Sequence, residues 1–166
     1  MITDHDELDW ERVYRTVYPS VYRALVATLL DADLASDALQ DAFVAGLDRP
    51  PLYDTNVAGW LFRVAIRKAG RSRRRPTVRL SDARGLASGH NQIDALLDRL
   101  SVGQLLRMLS PRQRSIVVAY FYLDQTQEQI AELLGIRRGT VAATISQALT
   151  RMRTLTRMRK GESHVQ

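Results

Sequence analysis

The chain has 166 residues, of which 45% are hydrophobic, so it is long enough for one compact domain or two small ones. Its 24 lysines and arginines outnumber 18 acidic residues, and the net charge of +6 favours an anionic partner, a merely basic surface being the alternative. Cysteine is absent, which excludes disulfides and thiolate sites, and no signal peptide or long apolar run occurs, so we expect a soluble, cytoplasmic protein without membrane insertion.

The first predicted helix begins at Trp10. Trp10, Val13, Tyr14 and Val17 recur at i, i+3, i+4 and i+7, the spacing of one helical face, and are predicted to point inward. Pro19 is expected to mark a kink or a break, because proline lacks the backbone N–H that a helix interior needs.

Two further helices are predicted in the first half of the chain. One covers residues 34–47 and ends before the prolines at 50 and 51. The next follows the loop of residues 50–56, carries Trp60 on its apolar face and leads into a basic cluster. Six of the nine residues from Arg67 to Arg75 are basic, which indicates either phosphate binding or a solvated helix end.

Periodicity fades over residues 76–92, where Pro, Gly, Ser, Asp and His accumulate. This composition is typical of a flexible linker. We find no strand-like alternation, so the predicted fold is all-α, with one small helical domain at 1–75 and a second at 93–166.

The second domain contains the spacing of a helix-turn-helix. Ser110 and Pro111 begin one helix, Thr126 caps residues 127–134, Gly135 supplies a turn with positive φ, and the last helix runs to about Met158. The predicted inner stripe consists of Ile130, Ala131, Leu134, Val141, Ile145, Ala148, Leu149 and Met152. The residues predicted to face outward are Arg138, Ala142, Ala143, Ser146, Gln147 and Thr150. A DNA-reading motif is indicated, with a helical hairpin packed purely as core as the alternative.

The residues of this motif resemble a known family. The run LSPRQRSIVVAYFYLDQTQEQIAELLGIRRGTVAATISQALTRMR, from Leu109 to Arg153, is similar to region 4 of the extracytoplasmic-function (ECF, group IV) sigma factors of the sigma-70 family. ASDALQDAF, from Ala35 to Phe43, resembles the A-E-D-L-V-Q-E-T-F signature of region 2.2, and WLFRVA, from Trp60, resembles the W-L-F-R-I-A of region 2.4. A response-regulator output domain would share the second domain's motif but lack those of the first.

The resemblance implies a promoter-specific factor without catalytic activity, cofactor, metal or small-molecule substrate. The implied partners are core RNA polymerase, promoter DNA and an anti-sigma factor. The implied polymerase contacts are Asp37, Gln40, Asp41 and Phe43. Phe43 is equally compatible with an ordinary core position.

The resemblance also implies two sets of promoter contacts. Those for the minus-10 element are Tyr53, Asn56, Trp60, Arg63, Arg67, Lys68, Arg71 and Arg74. Those for the minus-35 element are Thr126, Gln127, Arg137, Arg138, Ala142, Ala143, Ser146, Gln147 and Arg151. Two departures stand out: Arg67 replaces an asparagine common in the family, and Ala142-Ala143-Thr144 replaces Lys-Ser-Arg.

The last predicted helix, which would read DNA in a helix-turn-helix, has no charged residue between Arg138 and Arg151. This leaves a second hypothesis open. A sigma-like interaction protein would bind polymerase or an anti-sigma factor while reading little DNA itself. An enzyme is not indicated, because His5, His90 and His164 lie too far apart in the sequence to suggest a shared site.

Overall fold

The computed structural model describes residues 8–51, 56–74 and 101–162, which contain seven α-helices and no strand. The helices are α1 (Trp10–Leu29), α2 (Ala32–Asp48), α3 (Val57–Arg74), α4 (Ser101–Arg107), α5 (Pro111–Phe121), α6 (Gln127–Leu134) and α7 (Arg138–Glu162). The predicted all-α class is confirmed. The chain divides into two compact units, Met1–Leu80 and Ser81–Gln166. The predicted linker at 76–92 and the predicted start of the second domain at 93 lie outside the described residues.

Short polar side chains fix where five of the helices begin. Asp9, Asp31 and Asn56 each accept a hydrogen bond from the backbone N–H three residues ahead, at 3.0, 2.9 and 3.0 Å. Ser110 and Thr126 form capping boxes with the glutamines at 113 and 129. Each such cap stabilises a helix by about 1 kcal/mol, because it satisfies an N–H that lacks an intrahelical partner.

α1 continues through Pro19, so the prediction of a break at this position is wrong. A proline in a helix interior costs about 3 kcal/mol or more. Val13 before it and Val21 and Leu25 after it are buried. Burying each of these side chains contributes about 1.5–3 kcal/mol, which offsets the cost of the proline.

The core of the first unit lies where α1, α2 and α3 pack against one another in pairs. Leu25, Leu39 and Leu61 are fully buried, and alanines on α2 allow close helix packing. Tyr14, which was predicted to face inward, is 55% exposed. The apolar stripe of α1 is wider than the surface that α2 and α3 cover, so its edge remains in solvent.

Gly46 of α2 is required by the close approach of Trp10. A Cβ built on Gly46 would lie less than 3.0 Å from three carbons of the Trp10 ring. We expect Gly46→Ala to displace Trp10 and to lower the free energy of unfolding by about 1–3 kcal/mol, the usual cost of overpacking. Thermal denaturation followed by circular dichroism measures this.

Gly70 on α3 provides the matched control, because a Cβ there would meet no atom within 4 Å. Gly70→Ala should stabilise the protein by up to about 1 kcal/mol through helix propensity alone. Equal effects of the two substitutions would contradict the assigned role of Trp10.

The second unit buries its apolar side chains among α5, α6 and α7. Ile116, Ile130 and Val141 are fully buried. Arg114 is also buried, and its Nη1 donates to the Leu106 carbonyl of α4 at 3.3 Å. Arg114 therefore ties α4 to α5 and has a structural role.

Candidate nucleic-acid and protein interfaces

One face of α2 is open to solvent. Asp37, Gln40 and Asp41, the polar residues among the implied polymerase contacts, are exposed. Val44 and Leu47 continue the same face at helical spacing, with exposures of 65% and 64%. The open α2 face, which these five residues define, thus combines a polar edge with two unpartnered aliphatic side chains.

Six aromatic side chains form a cluster beside the open α2 face. They are Trp10, Tyr14, Tyr18, Tyr22, Phe43 and Trp60, and we call them the aromatic cluster. Phe43 lies at its centre, with ring centroids 5.9, 5.5 and 5.9 Å from those of Trp10, Tyr14 and Tyr18. Phe43 is half-buried, so it packs within the protein and still reaches the surface.

Tyr18 lies partly buried within this cluster. Burial raises the pKa of the Tyr18 phenol, and the hydrogen bond with Ser36 lowers it only in part. The shift favours the neutral form of the phenol, in which this side chain is protonated at physiological pH in any case.

The predicted minus-10 residues are arranged along α3. Asn56 precedes the helix, and its Oδ1 accepts the Gly59 N–H, so this oxygen serves as a helix cap. Trp60 is half-buried against Trp10, with centroids 6.4 Å apart. The ring of Trp60 is therefore anchored in the aromatic cluster.

The basic residues of α3 differ in exposure. Arg67 and Arg71 are exposed and Lys68 is half-buried, whereas Arg63 buries its Nε, which has no hydrogen-bond partner among the described residues. The helix continues to Arg74, so part of the basic cluster is helical. Tyr53 and the side chain of Arg74 lie outside the described residues.

The turn between α6 and α7 has the geometry of a Schellman motif. Gly135 adopts φ 64°, its N–H donates to the Glu132 carbonyl at 3.3 Å, and the Ile136 N–H donates to the Ala131 carbonyl at 3.0 Å. The predicted positive φ at Gly135 is confirmed. The turn fixes the direction in which α7 leaves α6.

The two faces of α7 follow the predicted division, except that several residues at its edges are half-buried. Val141, Ile145 and Ala148 are buried, whereas Ala143, Ser146 and Gln147 are exposed. Ala142, predicted to face outward, is half-buried, because it follows the buried Val141 at the edge of the inner stripe. Leu134, Leu149 and Met152, predicted to face inward, are half-buried.

A groove of about 550 Å³ runs along the start of α6. Its lining comprises Tyr120, Phe121, Asp124, Gln125, Thr126, Gln127, Glu128 and Arg138. Across it, Arg138 Nε forms an ion pair with Glu128 Oε1. Two of the predicted minus-35 contacts, Thr126 and Gln127, thus lie next to a carboxylate whose pairing with Arg138 was not predicted from the sequence.

Arg137 precedes α7, and its carbonyl accepts hydrogen bonds from the Thr140 and Val141 N–H groups at 2.9 and 3.2 Å. Its guanidinium has only donors and cannot cap the helix. Arg137→Ser should raise the free energy of unfolding by about 0.5–2 kcal/mol through a new cap, and weaken DNA binding by removing an exposed cation.

Arg137→Ala is the control for this prediction. It removes the same cation without adding a cap, so DNA affinity should fall as for Arg137→Ser while the melting temperature stays near that of the parent. An equal rise in melting temperature for both variants would show that capping is not the cause.

Each of the two units matches a known protein family. The Sigma-70 region 2 family matches residues 13–77, and the Sigma-70 region 4 family matches residues 99–152. An RNA polymerase sigma-E factor of Streptomyces avermitilis is 33% identical over 127 residues, covering 72% of this chain and 69% of the relative. The ECF RNA polymerase sigma factor SigL of Mycobacterium tuberculosis is 30% identical over 132 residues, covering 74% of this chain and 75% of the relative. The chain belongs to the ECF sigma factors.

This sigma factor also has the fold of solved structures. The sigma factor RpoE, in complex with the anti-sigma factor NepR from Bartonella quintana, matches with a TM-score of 0.65 and 20% identity, covering 90% of this chain and 97% of that one. CnrH, in complex with the cytosolic domain of CnrY, matches with a TM-score of 0.65 and 19% identity, covering 90% and 88%. At these identities the likeness concerns the fold.

Membership in the family establishes that this protein is an RNA polymerase sigma factor and acts in transcription initiation. Within the described residues, no helix is long and apolar enough to cross a membrane, and no three His, Asp or Glu side chains group as metal ligands. The sigma factor's open α2 face contains two residues that the sequence analysis missed, Val44 and Leu47. Their signal was available, since they follow Gln40 at i+4 and i+7.

Proposed function

We propose that this sigma factor directs promoter-specific initiation through three surfaces: the open α2 face for core polymerase, α3 for the minus-10 element and α7 for the minus-35 element. The observation that carries the proposal is the exposed face of α7. A helix that buries Val141 and Ile145 while leaving Ser146 and Gln147 in solvent presents base-reading side chains.

The chemistry of α7 favours A·T base pairs. The Ala143 methyl group can contact a thymine methyl, and the Gln147 amide can pair with the N6 and N7 edge of adenine. Exposed Arg137 and Arg151 supply phosphate contacts at both ends of this surface. We therefore propose a minus-35 site richer in A and T than the G-A-A-C type common in the family.

On α3 we propose that Arg67, Lys68 and Arg71 follow the DNA backbone, with Trp60 supporting the opened strand. Arg67 and Arg71 are exposed, and binding through such cations depends strongly on salt. Arg63 is assigned a smaller part, because it is only half-exposed and its Nε is buried. Arg67 in place of asparagine indicates an altered minus-10 preference.

For the polymerase contact we propose that Val44 and Leu47 form the apolar centre and Asp37, Gln40 and Asp41 the polar rim. Interfaces commonly combine a desolvated centre with a hydrated edge. Val44 and Leu47, with exposures of 65% and 64%, are the large apolar side chains of α2 that are exposed, whereas its other apolar residues are buried or half-buried. Contact with a partner protein would remove these two aliphatic side chains from water.

We also propose regulation by an anti-sigma factor in the cytoplasm, with no catalytic activity of the chain itself. Support comes from the two structural neighbours, each solved as a complex, one of them with an anti-sigma factor by name. Co-purification with candidate anti-sigma factors, followed by loss of transcription on their addition, tests this.

Run-off transcription with purified core polymerase over a genomic fragment library tests the proposed function directly. We expect transcripts that begin downstream of a shared pair of sequence elements. Core polymerase without the chain is the control. Failure to obtain any specific transcript would overturn the proposal.

The interaction-protein hypothesis remains the second candidate, and one observation favours it. Arg138, at the entry to the recognition helix, is paired with Glu128 rather than free for DNA. Under this hypothesis the full chain would bind core polymerase but would protect no minus-35 element in footprinting of the holoenzyme.

A further inference from the structure

At the start of the helix-turn-helix, charged side chains of the protein pair with each other. Glu128 and Arg138, from different helices, form an ion pair across the groove at the start of α6. Asp124 lines the same groove, so the groove contains two carboxylates and one guanidinium. Thr126 Oγ1 accepts the Gln129 N–H at 3.1 Å, which occupies one of the amides otherwise available to an anion.

We propose that Glu128 limits the affinity of this sigma factor for non-promoter DNA by competing with phosphate for Arg138. The proposal rests on the proposed role of α7 in DNA recognition. In the free protein the Glu128 carboxylate occupies the Nε side of Arg138, so a phosphate must displace this carboxylate or approach against its charge.

The ion pair is suited to such competition. The side chains of Arg138 and Glu128 are 66% and 60% exposed. Exposed pairs contribute little to stability and are screened by salt, so a correctly placed phosphate can replace the carboxylate.

The residues of α7 that can read bases differ from those that can contact phosphates. The exposed residues of its middle turns, Ala143, Ser146 and Gln147, are neutral and respond to base identity. Phosphate contacts add the same affinity at every sequence. Holding one arginine back therefore weakens the sequence-independent part of the affinity, which supplies essentially all of the binding to non-promoter DNA.

The test uses the full chain and a fluorescein-labelled, mixed-sequence DNA duplex that contains no promoter. Fluorescence anisotropy over a salt series should show that Glu128→Gln binds this duplex about 3–10-fold more tightly at low salt, with a salt slope steeper by about 1, as one added phosphate contact requires. Glu132→Gln is the matched control, since Glu132 is exposed on the same helix and does not line the groove.

A double-mutant cycle separates competition for Arg138 from general charge repulsion. In an Arg138→Gln background the Glu128→Gln gain should disappear. An equal gain in both backgrounds, an equal gain from Glu132→Gln, or an unchanged or weaker affinity of Glu128→Gln would each overturn the proposal. Circular dichroism melting confirms that all variants are folded at the assay temperature.

Run-off transcription by the parent chain keeps this test separate from the proposed function. Specific transcripts together with an unchanged Glu128→Gln affinity would refute the role of Glu128 alone. Absence of specific transcripts would refute the proposed function, whatever the anisotropy shows.

Discussion

Replacing Val44 and Leu47 together by aspartate should weaken binding of core RNA polymerase by about a hundredfold or more, because truncating a buried interface anchor costs about 2 kcal/mol and every 1.4 kcal/mol is a factor of ten. Aspartate also places a carboxylate where the partner would desolvate it, which adds to the loss. Both side chains are mostly exposed in the free chain, so its own core should be unaffected.

Binding is measured by fluorescence titration of labelled full-length chain with core polymerase. Val102→Asp is the control, because Val102 is 52% exposed on α4 and the same change in chemistry there should leave the affinity near that of the parent. Parent-like affinity of the double variant would remove the open α2 face from the polymerase interface. Equal losses in the control and the double variant would attribute the effect to added charge alone.

Local signals in the sequence were sufficient for much of the fold. Ser110 and Thr126 predict helix starts, because a side-chain oxygen can accept a hydrogen bond from the backbone N–H three residues ahead and so cap the helix. Both residues do so. Gly135 predicts the turn, because few other residues tolerate positive φ. These signals depend on neighbours within a few residues, so they can be read without knowledge of the packing.

Other features depend on contacts between helices and could not be read in this way. Periodicity placed Tyr14 inside, but an apolar stripe does not reveal how much of its width a neighbouring helix covers. A kink or a break was expected at Pro19, and the break does not occur, because burial on both sides outweighs the lost hydrogen bond. The pair of Glu128 with Arg138 joins two helices, and only their packing brings the charges together.

Replacing Gln147 by alanine should cost about 1–3 kcal/mol of binding free energy at one base position of the minus-35 element and leave the other positions unchanged. Gln147 is exposed on α7, and a glutamine amide offers a donor and an acceptor that match the adenine edge. The loss should vanish on DNA that carries another base at that position, because the variant loses only what the amide recognises.

Arg151→Ala supplies the contrast that makes this assignment testable. Arg151 is exposed four residues beyond Gln147, and a phosphate contact there should disappear equally for every sequence, with a salt slope shallower by about 1. Holoenzyme binding to a set of promoters with single substitutions in the minus-35 element measures both variants. A uniform loss for Gln147→Ala would make Gln147 a positioning contact and leave Ala143 and Ser146 as the residues able to read sequence on the neutral middle turns of α7.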